Sequence, residues 1–160
     1  MDLIKIRAAL KIDEGRGELP FIDSEGFLTW GYGLKISNRK GLDADVYCME
    51  MPEEVASLWM NIELDKKIDE IKSYRRIELA LQACESSPAR YYALVSMSYQ
   101  IGAAGLNLFK GMLGATIEHD WQKAHDEALD SKWAVQTPNR AKRLAKQMLT
   151  GEWDSYYLTT

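Results

Sequence analysis

Cysteine and histidine are scarce in this chain of 160 residues, which contains two of each. Cys48 and Cys84 are too few for a disulfide framework or a cysteine-based metal cluster. We therefore expect two free thiols in a reducing compartment, with a single Cys48–Cys84 bridge as the alternative. His119 and His125 are six residues apart, which places them on different faces of a helix. The sequence accordingly predicts neither a metal site nor a cofactor.

The chain also has no run of about 18 apolar residues, so we expect no stable insertion into a membrane. Residues 1–5 (MDLIK) lack the apolar core and the cleavage site of a secretory signal. These two features predict a cytoplasmic protein. If its target lies outside the cytoplasm, another component must let it through.

Positive charge is not in excess either. The chain has 20 basic and 24 acidic residues, a formal net charge of −4, which argues against a general nucleic-acid partner. The charge is unevenly spread, because residues 1–87 hold 17 acidic and 12 basic side chains, whereas 88–160 hold 7 and 8. Residues 134–150 contain basic but no acidic side chains. This stretch either forms a solvated helix face or weakly attracts an anionic polymer.

In the N-terminal third of the chain, the pattern of apolar residues changes once, from helical spacing to strand-forming residues. Apolar residues recur at helical spacing from Leu3 to Leu10, and Gly15 suits the left-handed residue that ends a helix. From Pro20 to Ile36, strand-forming residues flank the turn sequence Asp23–Gly26, which predicts a small antiparallel sheet. A chain of this length fits one domain or two lobes that share a core.

The rest of the chain is typical of helices separated by glycine and proline. Pro52 suits the first position of a long helix. The apolar residues that follow it at helical spacing are Val55, Leu58, Trp59, Ile62, Ile68 and Ile71. Further helices are expected at 88–101, 109–113, 117–129 and from Pro138 to the residue before Gly151.

These patterns predict an α+β fold that is mostly helical. We expect a single domain, 1–160, with a small sheet-containing lobe at about 13–60. A larger helical lobe would consist of 1–12 and 75–160, and a connecting helix at 52–73 would join the two lobes.

Three side chains at the junction of the first helix and the sheet carry the chemistry. Glu14 lies in the last turn of the helix, Asp23 opens the turn, and Thr29 follows in the next strand. Hydrolysis of a glycosidic bond needs one protonated carboxyl to donate a proton to the leaving oxygen, and one ionised carboxylate across the bond. The negative end of the helix dipole disfavours the charged form of Glu14, as suits a general acid. The Thr29 hydroxyl can help to hold the attacking water.

Two specific motifs extend this pattern. The first is Ile12–Gly33, in which eight residues separate the glutamate from the aspartate and five separate the aspartate from the threonine. The second is Gln136–Arg143 (QTPNRAKR) followed by Thr150–Asp154 (TGEWD). Together they resemble the phage-type lysozymes, the muramidases typified by the lysozyme of T-even phages. The resemblance covers nearly the whole chain and is weakest between Ser37 and Arg90, and it implies a lysozyme-like fold.

The resemblance implies a role for each of the three side chains. Glu14 would be the general acid, while Asp23, still ionised, and Thr29 would position a water on the opposite face of the sugar. The bond cleaved would be the β-1,4 linkage between N-acetylmuramic acid and N-acetylglucosamine, with inversion. Inverting enzymes hold their carboxyls roughly 6.5–9.5 Å apart, whereas a nucleophilic Asp23 would need about 5–5.5 Å and remains the alternative.

Other positions correspond to the family's cleft. By resemblance, Arg140 pairs with the catalytic glutamate and fixes its orientation. The expected substrate-binding residues are Glu25, Lys35, Tyr99, Gln100, Met112 and Glu127. On the residue types alone, Tyr99 is as well explained as a core residue and Gln100 as a helix-surface amide. Leu34 stands where family members often have histidine, so we expect a structural polar contact to be lost.

The first functional hypothesis is therefore an endolysin-like muramidase that acts on peptidoglycan as a monomer. It would be made in the cytoplasm of a host bacterium and would need a holin-type pore to reach the periplasmic peptidoglycan. The same fold used as a secreted or injected antibacterial effector is the first alternative. The second is a module that binds glycan without cutting it, which the intact set of Glu14, Asp23 and Thr29 disfavours.

Overall fold

The computed structural model describes residues 3–47 and 49–158. Within these residues the chain forms eight α-helices, three β-strands and two short 3-10 turns. In chain order the helices and strands are α1 (Leu3–Glu14), β1 (Gly17–Ile22), β2 (Phe27–Gly31), β3 (Leu34–Lys40), α2 (Glu53–Lys72), α3 (Arg75–Ala83), α4 (Pro88–Asn107), α5 (Lys110–Ile117), α6 (Trp121–Leu129), α7 (Lys132–Gln136) and α8 (Pro138–Thr150). The predicted α+β fold, mostly helical with a small antiparallel sheet, is confirmed.

The end of α1 is where the sequence predicts it. Gly15 has a φ of +65°, and its N–H donates to the Lys11 carbonyl over 3.0 Å. A left-handed glycine after the last helical residue ends a helix in this way, because it lacks the Cβ that would make the conformation costly. Glu14 is therefore the last residue of α1.

The three strands form an antiparallel sheet in the order β1-β2-β3. The sheet runs from Gly17 to Lys40 and so extends beyond the predicted Pro20–Ile36 at both ends. In its register, Phe21 and Lys35 both lie opposite Thr29, on the two sides of β2. The centre of β2 is thus the centre of the sheet.

The chain divides into two compact units. One is Arg7–Asp65, and the other consists of the described residues up to Ile6 and from Lys66 onward. Both α1 and α2 cross this division along the chain. The lobe boundaries expected from the sequence stay predictions.

The long helix α2 begins directly after Pro52, close to its predicted bounds. Only part of the apolar pattern that marked it in the sequence forms its buried face. Ile68 and Ile71 are buried, whereas Val55, Leu58 and Ile62 are largely exposed. The buried positions are Ala56, Met60, Leu64, Ile68 and Ile71. A helix with apolar residues on several faces does not reveal from spacing alone which face is buried.

Two of the predicted helix boundaries after α4 are wrong. The predicted helices 109–113 and 117–129 are instead α5, which continues to Ile117, and α6, which begins at Trp121. The break lies at His119, whose φ is +59°, and Asp120, whose side chain accepts the Lys123 N–H over 3.1 Å and caps α6. Gly114, which lies between the two predicted helices, is a residue of α5.

The other glycine and proline boundaries are confirmed with one exception, because the helix expected at 88–101 continues to Asn107. α4 begins at Pro88 and α8 at Pro138, and Gly151 ends α8 with a φ of +74°. Gly102 interrupts α4 with a φ of +71° and a ψ of 166°.

Cys84 is a buried free thiol, as predicted, and burial raises its pKa to about 12. Cys48 lies outside the described residues. In the part of the chain that the structure describes, no helix combines the length and apolarity needed to cross a bilayer.

Candidate active site

The turn between β1 and β2 holds Asp23 by its own backbone. The Asp23 N–H donates to the Phe27 carbonyl over 2.9 Å, and the Asp23 carbonyl accepts the Gly26 N–H over 3.0 Å. The side chain completes the turn, because Asp23 Oδ1 accepts the N–H groups of Glu25 and Phe27, both over 2.9 Å. A carboxylate at the start of a turn is suited to this role, since it can accept several donors at once.

The second oxygen of the same carboxylate meets a hydroxyl. Thr29 Oγ1 lies 3.2 Å from Asp23 Oδ2 and 3.2 Å from the Phe27 carbonyl oxygen. The single hydroxyl proton can go to either acceptor, and the oxygen keeps lone pairs that can accept from a water. Thr29 is 2% exposed, so its side chain is fixed by packing. Asp23 and Thr29 therefore form a pre-set pair of polar groups.

These contacts favour the ionised form of Asp23. Its pKa is held below its ordinary value, chiefly by the Phe27 N–H and against the effect of partial burial. The Glu25 N–H, the Thr29 hydroxyl and the positive charge of Lys35 act in the same direction. Hydrogen bonds to a charged carboxylate stabilise that charge. Asp23 is therefore an anion at neutral pH.

Glu14 lies at the end of α1, in the same compact unit as Asp23 and Thr29. Its side chain is half-buried and lies near the turn between β2 and β3, because a Cβ added at Gly33 would be 4.0 Å from Glu14 Oε2. Gly33 itself has a φ of +76°, which favours glycine. The turn thus leaves room next to the glutamate.

Glu25 and Lys35 flank the aspartate turn and bind each other. Lys35 Nζ lies 2.8 Å from Glu25 Oε2 and 4.0 Å from the centre of the Phe27 ring. Both side chains are exposed, so the pair is available to a polar ligand. Their predicted role in substrate binding stays a prediction.

The second unit contains a groove of about 540 Å³. Two of the predicted substrate-binding residues, Met112 and Glu127, line it together. Its other lining residues are Ile101, Gly105, Leu108, Phe109, Lys110, Gly111, Asp130, Ser131, Lys132, Trp133 and Gln136. Gly111 makes room for Glu127, since a Cβ added there would overlap the Glu127 carboxylate.

Gln100 contacts the wall of this groove. Its Oε1 accepts the Trp133 indole N–H over 2.8 Å, and the Trp133 ring meets that of Phe109 edge-on. Gln100 is thus an exposed amide with a defined partner. Tyr99 is half-buried on α4 and is not among the lining residues of the groove.

Comparison with known proteins identifies several similar proteins. No family model matches the chain. Two proteins of Dictyostelium discoideum, named "Probable T4-type lysozyme 1" and "Probable T4-type lysozyme 2", are each 28% identical to it, over 94% of this chain and 97% of their own length. The "Pre-baseplate central spike protein Gp5" of Enterobacteria phage T4 is 30% identical over 92% of this chain. The chain corresponds to only 28% of the length of that phage protein.

The chain is thus similar over nearly its whole length to proteins named T4-type lysozymes, which supports the expected family. Lysozymes are glycoside hydrolases, so at the level of the family the chain is a member of a group of hydrolases. Identities near 30% do not carry over a mechanism residue by residue. The roles of Glu14, Asp23 and Thr29 therefore depend on the geometry of this chain.

Two positions that the family resemblance singled out have defined surroundings. Arg140 donates from Nε and Nη2 to the Ser96 hydroxyl over 3.1 and 2.9 Å, so its guanidinium is held by a buried partner. Its pairing with Glu14 stays a prediction. Leu34 is 8% exposed and belongs to the apolar core, where a histidine would need a polar partner.

Sequence reasoning did not single out several residues of these sites. Trp133 is a main wall of the groove. Its helix α7 begins directly after Ser131, whose hydroxyl accepts the Ala134 N–H over 3.1 Å. Serine just before a helix is a capping signal that could have predicted α7. No comparable signal identifies Glu53, a partly buried carboxylate that contacts several polar side chains in the Arg7–Asp65 unit.

Proposed function

We propose that the protein is a muramidase that hydrolyses the β-1,4 bond between N-acetylmuramic acid and N-acetylglucosamine in peptidoglycan. The observation that carries the proposal is the Asp23 carboxylate, whose Oδ1 is held by two backbone N–H groups while Oδ2 meets the Thr29 hydroxyl. A carboxylate that only shaped the turn would not need a buried hydroxyl at its other oxygen. Similarity to proteins named T4-type lysozymes supports the same reaction.

In this mechanism Glu14 is the general acid. It donates its proton to the glycosidic oxygen as the bond to the sugar breaks. The half-buried side chain above the Gly33 turn gives it a defined orientation with access to a ligand. The charge that remains on Glu14 is neutralised when it takes up a proton again after the products leave.

Asp23 and Thr29 bind the attacking water from two sides. Oδ2 of the ionised Asp23 takes one proton from the water as it attacks and releases that proton to solvent after the products leave. The Thr29 oxygen makes a second hydrogen bond with the water. Attack from the face opposite the leaving group inverts the anomeric carbon. The alternative, in which Asp23 attacks the sugar directly, would retain that configuration through a covalent intermediate.

The substrate-binding part of the proposal concerns two regions, each within its own unit. Beside Asp23, the Glu25–Lys35 pair offers a cation and an anion to the polar groups of a sugar. In the other unit, Met112, Glu127 and the Trp133 wall offer apolar surface with a few polar groups, a mixture typical of ligand sites. We assign Tyr99 and Gln100 to sugar contacts on the basis of the family resemblance.

We further propose that the protein acts alone, as a monomer, on periplasmic peptidoglycan after a holin-type pore opens the membrane of a host bacterium. Expression in a bacterium with and without a pore-forming partner tests it. Lysis that depends on the partner is expected, and lysis without any partner would contradict the proposal.

The test of the activity compares the wild type with Glu14→Gln and Glu54→Gln. Each variant removes one carboxylate charge, but Glu54 is an exposed residue of α2 that is not part of the proposed mechanism. We expect the wild type and E54Q to clear outer-membrane-stripped Gram-negative cells and release reducing sugar ends. Folded E14Q should be slower by about 10²–10⁴-fold, because general acid catalysis is worth that much.

Each other outcome is informative. A folded wild type that neither clears cells nor releases sugar ends would reject the muramidase and favour a glycan-binding module. Equal activity of E14Q and E54Q would reject Glu14 as the acid. Proton NMR of the first product shows the anomer formed, and a retained β configuration would replace the water mechanism by the nucleophilic one.

A further inference from the structure

The Arg7–Asp65 unit contains a second anchored carboxylate, which the proposed mechanism does not use. Glu53, the first residue of α2, accepts from Lys11 Nζ over 2.9 Å and from the Ser57 hydroxyl over 2.7 Å, both at Oε1. Arg16 Nε lies 3.2 Å from Oε2, and the Tyr32 hydroxyl lies 2.9 and 3.0 Å from the two oxygens. We call these five residues the Glu53 cluster.

Three members of the Glu53 cluster come from the segments that surround Glu14. Lys11 lies one helical turn before Glu14 in α1, and Arg16 lies two residues after it. Tyr32 precedes Gly33, the residue whose position faces Glu14 Oε2. One carboxylate therefore joins the chain before Glu14, the chain after it and the turn beside it.

These segments bend at glycines, so contacts from other parts of the chain are needed to fix their backbone conformation. Gly15, Gly31 and Gly33 all have positive φ angles, of +65°, +60° and +76°. Glycine permits such conformations but also permits many others, so it does not fix the backbone by itself. Arg16 reinforces the hold by donating to the Met51 carbonyl over 2.6 Å.

The charges of the cluster are stable over the pH range in which a lysozyme would act. The hydrogen bond from Lys11, followed by that from Ser57, lowers the pKa of Glu53 to about 2 against the effect of burial. Burial, followed by the contact with Glu53, raises the pKa of Tyr32 to about 12. Glu53 thus stays an anion and Tyr32 stays a donor.

We propose that Glu53 is a positioning residue that fixes the orientation of Glu14 through Lys11, Arg16 and Tyr32. The inference rests on the proposed function, because it assigns Glu53 a role in the same reaction. Glu53 does not touch the substrate. Its effect should appear in kcat, because a displacement of about 1 Å at a reacting group can cost on the order of 10²-fold in rate.

The experiment uses Glu53→Gln, with Glu54→Gln and Ile77→Val as controls. E53Q keeps the shape of the side chain but loses the ion pairs with Lys11 and Arg16, whereas E54Q makes the same charge change at the next residue. Ile77 is fully buried in the other unit, and its truncation to valine lowers stability without a substitution near Glu14 in the sequence. Steady-state kinetics on soluble peptidoglycan strands, with thermal unfolding of each variant, gives kcat, KM and stability together.

We expect E53Q to lower kcat about tenfold with KM unchanged within about twofold. E54Q and I77V should keep the kcat of the wild type. A kcat of E53Q within twofold of that of E54Q would overturn the inference, and so would an equal loss in I77V, which would indicate a general effect of stability. An inactive wild type would instead reject the proposed function itself, so the two failures are distinguishable.

Discussion

The turn around Asp23 and the groove around Trp133 position their polar groups in different ways. In the turn, the hydrogen-bond partners that the structure describes for the Asp23 carboxylate lie within six residues along the chain, from Glu25 to Thr29. In the groove, the lining residues extend from Ile101 to Gln136 and come from four helices and their connections. The first site is built by local backbone geometry and the second by the packing of helices.

This difference determines how strongly a substitution can change the geometry of each site. Asp23 accepts two backbone N–H groups, which remain in place whichever side chains surround them. Glu127 owes its place to the absence of a side chain at Gly111. A turn of this kind tolerates little variation in its acid, whereas a groove can change its lining and so its ligand preference. Substitutions at the two sites should therefore differ in size.

Asp23→Asn should have the largest effect. The amide keeps an oxygen for the two backbone donors but has no charge to orient a water, so activity should fall by about 10²–10⁴-fold with the fold intact. Asp43→Asn is the control, because Asp43 also accepts a backbone N–H in a turn, that of Asp45 over 3.0 Å. Peptidoglycan hydrolysis by both variants is the measurement. If D23N stayed within tenfold of D43N, Asp23 would be structural only.

Thr29→Val should come next. Valine keeps the buried shape but removes the hydroxyl, and a hydrogen bond to a charged group is worth roughly 1.5–3 kcal/mol, so we expect about a tenfold loss of activity or more. Thr29→Ser, which keeps the hydroxyl, should stay within about threefold of the wild type. Equal losses in the two variants would show that the methyl group and not the hydroxyl matters.

The pH dependence of the activity of Thr29→Val gives a second test of the role of Thr29. Thr29 helps to lower the pKa of Asp23, so its removal should raise that pKa towards the ordinary value of 3.8. Activity needs ionised Asp23, so the acidic limb of the profile should move to higher pH in T29V. Rates measured from pH 3 to 7 would show it, and a limb that moved to lower pH would contradict the assignment.

The sequence predicted the turn at Asp23 and the end of α1 at Glu14 correctly, because both are determined by local sequence. Glycine at position 15, the turn residues from Asp23 and the strand-forming residues of β2 each determine structure within a few residues. The spacing of Glu14, Asp23 and Thr29 then placed all three in one compact unit. No long-range packing had to be inferred for this part.

The Glu53 cluster and the groove were not predictable in the same way. Glu53 at a helix start looks like an ordinary acidic first-turn residue, and its partners are separated from it by 21 to 42 residues, apart from Ser57. The groove depends on where α5 ends, and the positive φ of His119 has no strong sequence signal. Both the Glu53 cluster and the groove are determined by packing between residues that are far apart in the sequence.

The contacts of Glu53 also predict that Glu53→Gln lowers the free energy of unfolding by an amount that depends on pH. The pKa of Glu53 is about 2 when folded and near 4.5 otherwise, so its stabilisation is complete above pH 4.5 and is lost as the pH falls towards 2. The side chain is 44% exposed and screened by solvent, which limits the effect to about 1 kcal/mol. Urea unfolding of the wild type and E53Q should differ by this amount at pH 7 and not at pH 2. A difference that persists at pH 2 would point to shape instead of charge.

The smallest effects are expected in the groove, from Gly111→Ala and Gly114→Ala in α5. A Cβ at Gly111 overlaps the Glu127 carboxylate and would displace it, whereas a Cβ at Gly114 has no atom within 4 Å. G114A should gain about 0.5–1 kcal/mol in stability, because alanine loses less conformational entropy in a helix, and its kinetics should not change. G111A should raise KM by about threefold, since the displaced carboxylate alters the groove, with kcat unchanged. Equal KM values for the two variants would mean that Glu127 does not bind substrate, and the groove would then serve only as a structural cleft between helices.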